Sequence, residues 1–187
     1  MTSIKEKELP SQFKEFNPAK MASLEMDWLL AEVFGKYKLV FNLHVQGLQE
    51  QFKLSEKAAK KVAGKVSPNV ISRKLVRNTE NYVKYYKQLS QETGLGFNVD
   101  PQWFGHANPD NLSKVFGEVY GVPQESLLPV METRMEAFDS LMNALENNLL
   151  PKLDGKIVYP EEDLMHWGVV GKTFEAYYEG LKEVISV

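Results

Sequence analysis

The chain has 187 residues, a formal net charge of −3, 43% hydrophobic residues and no cysteine. That length and apolar content suit one domain of ordinary size with a packed core, not a disordered chain. The lack of cysteine excludes a disulfide framework, a Cys-ligated zinc or iron–sulfur site and a thiolate nucleophile. The opening stretch MTSIKEKELPSQFKEF alternates charges and has no apolar run. It reads as a flexible lead over residues 1–16 and not as a secretion signal. No segment approaches the roughly 18 uninterrupted apolar residues of a membrane span. A soluble, cytoplasmic protein with no membrane partner is therefore expected.

Almost everything from residue 17 onward predicts helix, in one domain spanning 17–187. Asn17-Pro18 supplies a cap followed by a proline suited to the first helical turn. Helical spacing then runs without a break to about Phe52. Met21, Leu24, Trp28 and Ala31 share one face, and Leu30, Phe34, Tyr37, Phe41, Val45, Leu48 and Phe52 share another. A helix that is apolar nearly all round is buried, so a long central helix is expected here. Ser55 caps a short helix to about Val62. Ser67-Pro68 starts a longer one with Ile71, Leu75, Tyr82, Tyr86 and Leu89, closed at Gly94.

The stretch GLGFNVDPQWFGHANPD is irregular and holds two helix-start signals, Asp100-Pro101 and Asn108-Pro109. The second launches a helix over 110–120, ended by Gly121. Over 124–150 the residues Met131, Met135, Phe138, Met142, Leu145 and Leu149 alternate steps of four and three, which predicts a core-facing seam. Pro160 opens the last helix, with Trp167, Val170, Phe174, Tyr178, Leu181 and Ile185 on its buried arc. The short run KIVY at 156–159 is too brief to count as a strand. The expected fold is an all-α, single-domain bundle of five to seven helices.

The net charge hides an asymmetry. Residues 53–91 carry ten Lys or Arg against two Glu, a local net of +8; residues 92–187 carry sixteen acids against six bases, a net of −10. Either the basic section meets a polyanion or it packs against acidic partners. Residues 54–78 resemble a repressor-type helix-turn-helix in Ala63-Gly64, Val66-Ser67, Ile71-Ser72-Arg73 and Leu75. That resemblance implies nucleic-acid contact by Asn69, Ser72 and Arg73 at base edges, with Lys65, Lys74 and Arg77 on phosphates. Lys65 lengthens the turn by one residue, and the second helix outruns a short reading helix. Two solvated helices joined by an ordinary turn fit the same residues.

Metal chemistry has one half-motif. Asp163 and His166 stand three apart on the last helix, so one helix face could offer both to an ion, with His44, Glu32 and either Glu132 or Glu136 as candidate ligands from other helices. Di-iron carboxylate bundles use Glu-x-x-His in this way, on two helices; here Asp-x-x-His occurs once. An acid in a first helical turn also suits the macrodipole with no metal at all. His44 lies on the expected buried helix, as a core histidine or as an axial ligand to a haem-like cofactor. Trp103, Phe104 and His106 cluster in the irregular stretch. They would line a small-ligand pocket or plug one end of the core.

Three functions remain. The first is a non-catalytic helical protein binding a protein partner, its own copy or a small apolar ligand. The second is a metal-dependent oxidoreductase using iron on Asp163 and His166. The third is nucleic-acid binding through 54–78.

Overall fold

The computed structural model describes residues 9–66, 79–153 and 156–187. It is an all-α bundle, as the helical periodicities require. The first helix, α1 (Pro18–Val33), begins where Asn17 Oδ1 accepts the Lys20 backbone N–H at 3.0 Å. The expected continuous helix over 17–52 is instead two. The chain stops at Gly35, whose φ of +66° is left-handed. There Lys36 N–H returns to Ala31 C=O at 2.8 Å and Gly35 N–H to Glu32 C=O at 2.9 Å. This closing pair of bonds satisfies the end carbonyls of α1. The second helix, α2 (Tyr37–Phe52), then folds back antiparallel. Lys20 Nζ reaches Glu50 at 2.6 Å at one end of the pair, and Trp28 lies 5.2 Å from the His44 ring toward the other. Gly47 permits this closeness, since a Cβ there would lie 3.0 Å from Trp28 Cζ3.

The lead into α1 is more ordered than its composition suggests. From Leu9 on it is packed, with Leu9, Phe13 and Phe16 buried. Phe13 meets Phe52 at 6.2 Å and Phe16 meets Tyr178 at 6.1 Å between ring centres. Three apolar anchors outweigh the charged residues between them.

Ser55 caps α3 (Glu56–Ala63), accepting from Ala58 N–H. Residues Thr79–Thr93 form α4. After a 3-10 turn at Pro101–Phe104, Asn108 caps α5 (Pro109–Tyr120), which ends at left-handed Gly121. Among the described residues the two longest helices are α6 (Gln124–Glu146) and α7 (Leu164–Ser186). Between them lies a two-residue antiparallel ladder of β1 (Lys152–Leu153) and β2 (Ile157–Val158), so part of KIVY is a strand after all. Among the described residues, no helix is long and apolar enough to cross a membrane.

Helices α1, α6 and α7 form the centre. α6 and α7 run antiparallel: Val130 meets Gly180, Arg134 meets Tyr177, and Phe138 meets Phe174. α1 is also antiparallel to α7, since Lys182 Nζ donates to Phe16 C=O while Met26 approaches Gly171. The expected arc of α7 is buried at Trp167, Val170, Phe174, Tyr178, Leu181 and Ile185. On α6 the buried stripe is Leu127, Val130, Met131, Ala137, Leu141 and Ala144. It is rotated from the expected methionine seam, which lies on its flank. Met131 is buried but Met142 is exposed. The alanines explain the rotation: small side chains let neighbouring backbones approach, and longer ones are displaced sideways.

Candidate functional site

Large apolar side chains that stay in water are concentrated at one pole of the bundle. Eight described residues qualify: Val33, Met142, Leu150, Val158, Leu164, Met165, Val169 and the terminal Val187. The first seven lie toward the same end of the bundle. Met142 is near the end of α6, Leu164, Met165 and Val169 are at the start of α7, and Leu150 and Val158 lie in the connection between them. The antiparallel register that sets Phe138 beside Phe174 places Met142 level with the Val169 turn. The register that sets Met26 beside Gly171 places Val33, at the end of α1, level with Met165.

Helical geometry explains why α7 contributes most. Its buried arc takes Trp167, Val170 and Phe174. Positions 165 and 169, four apart, therefore share the outward face. Met165 is 76% exposed, Val169 58% and Leu164 53%. Gly168, between them, has nothing within 4 Å of where a Cβ would stand, so the face is open.

The platform below is rigidly tied. Trp167 is buried and packs on Tyr159 at 5.2 Å. The Tyr159 hydroxyl donates to Asp27 Oδ1 at 2.7 Å, fastening the β2 side of the connection to α1. Burial raises the Asp27 pKa, partly opposed by that hydrogen bond, and burial with the Asp27 charge raises that of Tyr159. Further along, Glu25 is fully buried and accepts two hydrogen bonds from Arg134 and one from the Tyr178 hydroxyl. Burial acts to lower the Arg134 pKa, but the Glu25 carboxylate beside it holds the guanidinium well above its ordinary value. One ion pair thus locks α1 to α6, and the Tyr178 hydroxyl ties α7 to the same carboxylate.

The candidate ligand residues do not converge on one pocket. His44 is half-buried on α2, between Trp28 and Tyr85, with Nε2 3.1 Å from the Tyr85 hydroxyl. Burial pushes its pKa down to about 4, so the ring is neutral near pH 7. Both faces and one nitrogen are engaged, which suits a core histidine better than a haem ligand. Phe104 stacks on Tyr82 and Tyr86 at 5.6 and 5.5 Å, extending the same aromatic cluster. Trp103 is half-buried against the core, while His106 is exposed. Two shallow surface grooves are lined by Ser55, Glu56, Lys57, Lys60 and Lys61, and by Thr79, Glu80, Val83, Lys84, Lys87 and Pro101. Neither includes His44, Trp103, Phe104 or His106.

Nor do the candidate metal ligands meet. Among the described residues, no three His, Asp or Glu side chains are grouped to hold an ion. Asp163 is half-buried at the start of α7, His166 and Glu136 are exposed, and Glu32 is half-buried near the end of α1. Of the nucleic-acid candidates, Lys65 is exposed just beyond α3. Asn69, Ser72, Arg73, Lys74 and Arg77 lie outside the described residues, as does the second half of the helix-turn-helix resemblance. Within the basic section Lys60 pairs with Glu56, Lys61 with Glu92 and Lys84 with Glu80. Most of these partners are local.

The apolar pole was not singled out from sequence, although its signal is present: Leu164, Met165 and Val169 are apolar residues off the buried arc of an amphipathic helix. No family model matches the chain, and none of the curated proteins or solved structures compared with it is similar.

Proposed function

We propose that this protein is a non-catalytic interaction module that docks a protein partner on the apolar pole formed by the end of α1, α6, α7 and the connection between the last two. The observation that carries the reading is the gathering of seven exposed large apolar side chains at one end of the bundle. Single exposed apolar residues are ordinary, but a contiguous group marks an interaction surface. Burying one Val, Leu or Met side chain contributes about 1.5–3 kcal/mol. Leu164, Met165 and Val169 alone would therefore supply a substantial part of what association must offset. The rigid platform of Trp167, Tyr159 and Asp27 favours the same reading, because a preordered surface loses little freedom on docking.

The test uses a fluorescent helical peptide of Leu and Gln arranged with one apolar face. The full chain is expected to bind it, and Val169→Glu is expected to abolish binding while leaving thermal stability nearly unchanged. Binding that survives Val169→Glu and Met165→Glu together, or no binding at all, contradicts the reading.

A further inference from the structure

Resting on that docking reading, we infer that the partner is an amphipathic helix whose apolar face is flanked by lysines or arginines. The apolar residues on the pole have acidic neighbours. Glu161, Glu162 and Asp163 immediately precede Leu164 and Met165, and Glu146 ends α6. Residues 139–169 hold six acids against two lysines. None of these four acids forms an ion pair with a described residue, so their charge is not offset within the described fold. Acids at the start of α7 complement its macrodipole. That accounts for their effect on the helix but not for Glu146, which stands at the opposite kind of helix end.

Charge also argues against a second copy of the chain. A symmetric dimer through this pole would bring two copies of the same acidic surface together, and like charges facing one another are unfavourable. A head-to-tail contact would need a second exposed apolar patch, and among the described residues the one large apolar side chain exposed away from the pole is the terminal Val187. A helix with its own apolar stripe satisfies both demands. Met165 and Val169, one turn apart, match the i and i+4 anchors of such a stripe, and its basic flanks meet the acids.

The experiment compares three helical peptides with the same Leu pattern and Lys, Gln or Glu at every polar position. Fluorescence anisotropy with the full chain is read at low and high ionic strength. The Lys peptide is expected to bind about tenfold tighter than the Glu peptide, and salt should shrink the difference. The triple variant Glu161→Gln, Glu162→Gln, Asp163→Asn should lose that preference and still bind the Gln peptide. Equal binding of all three peptides, abolished by Val169→Glu, overturns the charge inference and leaves the docking surface standing. Failure of every peptide overturns the docking surface itself. A concentration-dependent dimer dissociated by Met165→Glu, or tighter binding to phosphatidylcholine vesicles than to any peptide, assigns the pole to a different occupant and overturns the inference.

Discussion

Arg134 holds Glu25 with two hydrogen bonds, Nη2 to Oε1 at 2.5 Å and Nη1 to Oε2 at 3.1 Å, across 109 residues of sequence. The Tyr178 hydroxyl donates to the same carboxylate, and the guanidinium lies over the Phe138 and Tyr177 rings. A fork-to-fork pair of this kind is specific in orientation as well as charge. It fixes α1 against both long helices, and so sets the register that gathers the apolar pole.

Removing one partner from this pair should be far worse than removing both. Arg134→Leu leaves the Glu25 carboxylate buried and uncompensated, with an expected loss of about 3–5 kcal/mol. The double variant Glu25→Leu, Arg134→Leu should recover much of that loss. Urea unfolding of the four proteins in a double-mutant cycle measures the coupling. Additive losses would show that the pair is not a unit.

His44 predicts an acid limb of stability. Its folded pKa of about 4 lies below the ordinary 6.5 because burial disfavours the charged ring. The unfolded chain therefore takes up a proton at this site before the folded chain does. The stability tied to neutral His44 is fully present above pH 6.5 and is lost as pH falls towards 4. The full effect is about 3 kcal/mol. His44→Phe keeps a ring between Trp28 and Tyr85 and should flatten that limb. Urea midpoints measured across this pH range check it; an unchanged slope in the variant would assign the pH dependence to other groups.

The corner between α1 and α2 rests on one left-handed residue. Gly35→Ala places a Cβ in that conformation and should destabilise by about 1–2 kcal/mol. Asn148, also left-handed with φ +59° just beyond α6, gives the converse. Asn148→Gly should be neutral or slightly stabilising. Thermal unfolding of both variants distinguishes this local account from one in which 17–52 prefers to be one straight helix, where Gly35→Ala would be tolerated.

Much of the fold was legible because helix punctuation is local. Asn17, Ser55 and Asn108 cap the helices their neighbours predict, and Gly121 ends α5. The α7 arc could be read from Trp167 to Ile185 because one strong apolar face repeats without interruption. The α1–α2 break was hidden since Leu30, Phe34, Tyr37 and Phe41 keep helical spacing across Gly35, so periodicity outvoted one glycine. The α6 stripe was misjudged because large methionines outweigh Ala137 and Ala144 in any hydrophobic pattern, while close packing favours the alanines. Glu25 and Arg134 sit 109 residues apart, and no local pattern joins them. Met165 and Val169 were visible as apolar residues off the arc. Only the neighbouring helix ends show that they belong to a larger exposed group.

The most direct measurement is a methyl NMR titration of the full chain, labelled at its methionines, with the Leu and Lys helical peptide. Docking on the pole predicts that the Met165 and Met142 methyl signals shift with peptide, that buried Met131 and Met21 stay in place, and that Val169→Glu removes the shifts. Shifts confined to other methionines, or none at Met165 under conditions where the peptide binds, would contradict the account.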